Sequence, residues 1–101
     1  MIESDCIAAL KALGEETRLR ILQLLFKRAL SVNEISECLK VSQYNTSKHL
    51  RIMREAGLLQ SEKCGKQHVY SVSAKLKKQV EANRSILDLG CCTFRMEKLP
   101  K

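Results

Sequence analysis

Ser42-Gln43-Tyr44-Asn45-Thr46-Ser47-Lys48-His49-Leu50-Arg51-Ile52-Met53-Arg54-Glu55-Ala56-Gly57 decides how the chain is read, because it carries both ends of a helix and two unlike faces. Ser42 is placed to accept from the free backbone N–H groups of a first turn, and Gly57 supplies the left-handed residue that closes a last one. Thr46, Leu50 and Met53 recur at helical spacing and are expected inward, which leaves Gln43, Tyr44, Ser47, Lys48, Arg51 and Arg54 outside. The outer face therefore starts with short polar groups and ends in cations. That order suits a helix laid in a major groove, where N-terminal side chains reach base edges while Lys and Arg neutralise phosphates. An ordinary solvated helix looks much the same, so the residues before it matter.

Upstream, Ser31-Val32-Asn33-Glu34-Ile35-Ser36-Glu37-Cys38-Leu39 reads as a second, shorter helix, with Ser31 and Glu34 spaced as a capping box and Val32, Ile35 and Leu39 as its buried stripe. Cys38 is expected on a core face. Only Lys40 and Val41 separate this helix from Ser42, a turn tight enough to cross two helices steeply, as in a helix-turn-helix.

The 101 residues make one domain, 1–101, small enough that a dimer partner would add useful burial. Eighteen Lys plus Arg against eleven Asp plus Glu leave a formal charge of +7, which points first to a polyanion. No apolar run is long enough to span a bilayer, so no membrane partner is expected. The acidic start at Glu3 and Asp5 lacks the plan of a signal peptide, and a cytoplasmic location follows as the expectation. There Cys6, Cys38, Cys64, Cys91 and Cys92 are expected as thiols rather than as a disulfide framework.

Ile2, Cys6, Leu10 and Leu13 form the apolar line of a first helix that stops at Gly14, and residues 16–28 form a second, apolar on several faces and therefore central. Beyond Gly57, residues 58–63 and 67–72 read as strands around the turn Cys64-Gly65-Lys66. A hairpin with Lys63 and Lys66 at its tip, following a recognition helix, is a wing. Residues 74–89 resume helical spacing through Leu76, Val80, Ile86 and Leu87, with Gly90 ending the helix and 90–101 as a tail. The fold class expected is mainly α with a small β-hairpin, a winged helix-turn-helix.

Three stretches in this order resemble the ArsR/SmtB family of winged-helix repressors. Residues 10–22, Leu-Lys-Ala-Leu-Gly-Glu-Glu-Thr-Arg-Leu-Arg-Ile-Leu, are similar to the family's opening segment, 41–59 to its recognition helix, and 63–70 to its wing. The resemblance implies a homodimer joined through the first and last helices, which binds double-stranded operator DNA and lets go when an inducer binds. On that model Ser42, Gln43, Tyr44, Ser47, Lys48, His49 and Arg51 carry recognition, with Lys63 and Lys66 on the wing. Gln43 suits an adenine edge, Tyr44 a thymine methyl, and Ser47, Lys48 and Arg51 phosphate. His49 serves the scaffold at least as readily as DNA.

The inducer site is a separate matter. The Cys-Val-Cys pair that some family members carry before the turn is replaced here by Ser31 and Asn33, and the last helix has none of the His ligands of the zinc and nickel sensors. Cys91-Cys92 remains. Adjacent thiolates after a helix end favour a soft, thiophilic centre, and the pair resembles a subgroup that responds to trivalent arsenic or antimony. Cys6 is the best third donor if the first and last helices lie together, so the expected metal ligands are Cys91, Cys92 and Cys6. The rival sensor is redox or persulfide chemistry on the same thiols. An enzyme is not expected, since no catalytic set surrounds the pair and it is not Cys-x-x-Cys. A sequence-neutral DNA architectural protein is the remaining alternative.

Overall fold

In the computed structural model the described residues are 3–82, 86–88 and 93–95. Five helices run α1 (Glu3–Leu13), α2 (Glu16–Lys27), α3 (Val32–Leu39), α4 (Gln43–Glu55) and α5 (Ala74–Ala82). Between and after them lie β1 (Leu30–Ser31), β2 (Leu59–Cys64), β3 (Gln67–Val72), β4 (Ile86–Asp88) and β5 (Thr93–Arg95). The mainly helical, winged architecture is as expected, with more strand than the sequence suggested.

The core is assembled from one face of each helix. Ile21, Leu22 and Leu25 of α2 lie at its centre, with Ile35 of α3 and Leu50 and Met53 of α4 packed around them. Ala9, Ala12 and Leu13 close it from α1, and Leu76 and Val80 from α5. Of the apolar line expected on α1, Ile2 and the side chain of Cys6 lie outside the described residues. Leu13 is buried, but Leu10 points outward at 40% exposure beside Ile7 at 44%, because the small face of Ala9 and Ala12 is the one that meets the core.

The capping box holds as expected: Glu34 N–H donates to Ser31 Oγ over 3.3 Å, and Ser31 N–H to Glu34 Oε1 over 2.9 Å. Lys40 then takes a left-handed conformation, φ 57°, which is what lets α4 follow α3 with only three residues between them. Cys38 is exposed, a correction to the expected core position. With ~100° per residue, Val32, Ile35 and Leu39 cluster within about 60° of one another, and Cys38 lies about 90° from their centre.

The wing is an antiparallel pair in which Cys64 faces Gln67 across Gly65-Lys66. Gly65 has φ 65° and Lys66 does not share the positive sign, the pattern of a two-residue turn with glycine first. β1 was not foreseen. Its two residues pair Leu30 with Tyr70 and Ser31 with Val69, so β3 is the central strand of the order β1-β3-β2 and the start of α3 is tied to the wing.

The last helix is the main correction. It ends at Ala82 rather than Leu89, and Ile86–Asp88 is a strand paired with Thr93–Arg95, in the stretch expected to be a tail. Val80 and Leu87 are seven residues apart, a spacing that keeps helical phase whether or not the helix continues, and both are buried. The strand preference of Ile86 and of Thr93-Phe94 is the local signal that favours the pair. Cys91, Cys92 and Gly90 lie outside the described residues, between the paired ends Asp88 and Thr93.

Candidate nucleic-acid interface

Ser42 caps α4, accepting from Asn45 N–H over 3.1 Å, and Gly57 closes the helix with φ 81°. Thr46, Leu50 and Met53 are buried, which fixes the rotation of α4 and turns Gln43, Tyr44, Ser47, Lys48, Arg51 and Arg54 to solvent. Tyr44 is 77% exposed, a large ring held mostly in water. Tyr44, Ser47, Lys48 and Arg51 line a shallow hollow on that face. Arg51 is loosely paired with Glu55 at 3.8 Å on the exposed surface, a contact worth little in water. Arg54 instead reaches the wing, donating to Ser61 Oγ over 3.4 Å.

A second cleft, of about 360 Å³, opens between α4 and the wing, lined by Ser31, Val32, Asn33, Ser47, Lys66, Gln67, His68 and Tyr70. Ser47 borders both hollows, so the outer face of α4 and the wing lie side by side. Asn33, Gln67 and His68 were not singled out from the sequence. They reach the surface because β1 brings the start of α3 against β3, a pairing between residues about 40 apart that leaves no local trace. Lys63 and Lys66 are exposed at the wing, on either side of Gly65.

His49 stands apart from this surface. Its side chain is 20% exposed and turned against α2, with Nδ1 3.3 Å from Arg18 Nη1 and 3.8 Å from Glu15 Oε2. Glu15 caps α2, accepting from Arg18 N–H over 3.1 Å. Its carboxyl is lowered overall: burial pulls it up, but the N–H groups of Thr17 and Arg18 and then the charges of His49 and Arg18 outweigh that.

Of the expected metal ligands, Cys91 and Cys92 lie outside the described residues, and Cys6 falls in α1 with its side chain outside them. Cys38 and Cys64 are exposed thiols on α3 and at the wing. Among the described residues no group of three or more His, Cys, Asp or Glu is placed to hold a metal ion. No helix among them is long and apolar enough to cross a membrane.

Residues 15–61, from the cap of α2 to the first half of the wing, match the family model described as bacterial regulatory protein, arsR family. The transcriptional activator HlyU of Vibrio cholerae is 37% identical over 79 residues, spanning 77% of this chain and 73% of that protein. The arsenic resistance transcriptional regulator ArsR1 of Pseudomonas putida is 35% identical over 86 residues, 76% of this chain and 67% of that protein. The solved structure of Vibrio cholerae HlyU superposes with a TM-score of 0.70 at 33% identity, covering 91% of this chain and all of that one (100%). That of reduced HlyU gives 0.68 at 33%, covering 88% and 92%. The homodimeric winged helix-turn-helix DNA-binding domain Mb0332 of Mycobacterium bovis gives 0.72 at 22% identity over 80% and 75%, a likeness of fold. These relatives are named as regulators rather than enzymes, and the match to the family model together with relatives above 30% identity over most of both chains gives the family: the chain belongs to the ArsR family of bacterial transcription regulators.

Proposed function

We infer that this protein is a homodimeric, cytoplasmic repressor that holds operator DNA in its free form and is released by trivalent arsenic or antimony on the thiolates of Cys91 and Cys92, with Cys6 as third donor. The observation that carries the DNA half is the exposed face of α4 set beside the basic wing, where Ser47 borders two hollows and Tyr44 is left in water. On this reading Ser42, Gln43 and Tyr44 meet base edges at the start of the helix. Ser47, Lys48 and Arg51, with Lys63 and Lys66 on the wing, meet phosphate. Homodimerisation is supported by Ile7 and Leu10, two large apolar side chains left exposed three residues apart on α1.

The sensing half rests on the chemistry of the donors. Adjacent thiolates suit a soft, thiophilic centre, the described cysteines form no rival cluster, and one of the relatives is named for arsenic resistance. Residues 89–92 join the paired ends of β4 and β5, so a ligand gripping Cys91 and Cys92 acts on a strand pair whose central residue, Leu87, is fully buried. A coupling of 1–3 kcal/mol, the ordinary allosteric range, costs ~5 to 150-fold in DNA affinity. Oxidation or persulfidation of the same cysteines is the second reading, favoured by the likeness to HlyU, for which a reduced form has been solved.

The test is fluorescence anisotropy on an operator recovered by selection from random duplexes, with the protein fully reduced. Release by arsenite or antimonite in excess reductant, lost in Cys91→Ser and Cys92→Ser, is the expected result. Release by peroxide or persulfide alone moves the assignment to the second reading. No preference for any duplex overturns the DNA half.

A further inference from the structure

Arg18 touches three helices. Its Nε donates to the carbonyl of Ala12 at the end of α1, its own N–H caps onto Glu15 at the start of α2, and its Nη1 lies 3.3 Å from His49 Nδ1 on α4. A guanidinium has donors only and keeps its charge throughout the working range, so the contact is a hydrogen bond only with Nδ1 unprotonated and the ring proton on Nε2. The same nitrogen faces a second partner, Glu15 Oε2 at 3.8 Å, which accepts only. One atom of the recognition helix thus sits between a fixed donor and a fixed acceptor.

We propose that His49 and Arg18 are positioning residues which seat the recognition helix, and that protonation of His49 exchanges its partner from Arg18 to Glu15 and weakens discrimination between operator and random DNA. The proposal rests on the DNA-binding reading and adds to it a residue pair that touches no DNA. With neutral His49, Arg18 spans from Ala12 of α1 to α4 and fixes the recognition helix against the α1–α2 layer. A proton on Nδ1 sets two cations face to face and offers Glu15 a new donor, so the span from α1 to α4 is broken while the tie to the cap of α2 strengthens. Lys11 of α1 and Glu55 of α4 line the hollow that Arg18 also borders. Among the described residues no other charged side chain comes within ion-pair reach of the ring.

The second histidine, His68, lines the wing cleft, where a proton would strengthen phosphate binding of any sequence. The experiment therefore uses His68→Gln as background and reads the ratio of operator to random-duplex affinity between about pH 8 and about pH 5.5. The ratio is expected to fall about fivefold or more on acidification. His49→Asn, whose amide oxygen stands where Nδ1 was and does not titrate, should keep the ratio seen at high pH and flatten the profile. Arg18→Lys, which cannot span Ala12 and His49 together, should lower the ratio at high pH. Circular dichroism on each variant separates a lost helix seat from a lost fold.

A profile unchanged in His49→Asn overturns the proposal. Nitrogen-15 imidazole shifts of the free protein supply the second readout: a neutral His49 with its proton on Nε2 supports the pair, and one with its proton on Nδ1 overturns it without any DNA present. If the Nε2 form is found and no duplex is preferred at any pH, it is the DNA reading that fails.

Discussion

Ser31 pairs with Val69 in the sheet and caps α3 at the same time. Ser31→Ala keeps the backbone pairing and removes the cap, so it should cost about 1 kcal/mol of stability, read as a lowered urea midpoint. Gly57 gives a different kind of test. A Cβ built there meets nothing within 4 Å, so the whole cost of Gly57→Ala lies in the positive φ, about 1–2 kcal/mol, and Gly57→Asn should recover part of it. Two carboxylates set a pH dependence. Glu34 is held low by the Ser31 N–H and then the Ser31 hydroxyl, and Glu15 is low despite the upward pull of burial. A depressed carboxyl stabilises the fold above its value in the unfolded chain, and that contribution disappears as pH falls through the folded value. The contribution of this pair should hold at neutrality and be lost progressively as pH falls below the unfolded carboxylate value of about 4.3, seen as a falling denaturation midpoint that Glu34→Gln makes shallower.

Across α4 the two ends of the exposed face should behave differently. Gln43→Ala is expected to relax preference at one base pair, at a cost of about 1–3 kcal/mol for the preferred base. Arg51→Ala should instead weaken operator and random duplex alike and reduce the slope of log affinity against log salt by about one. A sequence-selective loss in Arg51→Ala would contradict that division of labour. Much of this element was legible in advance, since the cap at Ser42, the inward trio Thr46, Leu50 and Met53, and the turn at Gly57 are all written within sixteen consecutive residues. What escaped was non-local or degenerate. β1 is two residues whose partners lie on β3, and no periodicity marks a strand that short. The end of α5 escaped because Leu87 keeps the helical phase of Val80 after the helix has stopped. Lys40 escaped because glycine or asparagine is the usual sign of a left-handed residue, and a lysine stands there instead. The partners of His49 lie more than thirty residues upstream, which only packing reveals.

On the scale of the whole molecule, a charge of +7 per chain becomes +14 for two chains (7 + 7), and binding to duplex should fall steeply with salt. Two copies of α4 about one turn of DNA apart, roughly 34 Å, would read a site with two-fold symmetry. Ile7→Glu with Leu10→Glu places charges on side chains that the single chain leaves exposed, so the fold should survive while sedimentation shifts to the monomer and operator affinity drops at least tenfold. A dimer that persists would put the interface elsewhere. The β4–β5 pair has a bearing on how abruptly such a molecule can respond. Leu87 has no exposed surface, while Asp88 beside it is turned to solvent, and neighbouring residues on a strand occupy opposite sides. A slip of one residue would drive the carboxylate of Asp88 toward the core and strand Leu87 in water, so intermediate placements are shut off. The register of β4 against β5 is thus kept whole or given up whole, with no slipped pairing in between.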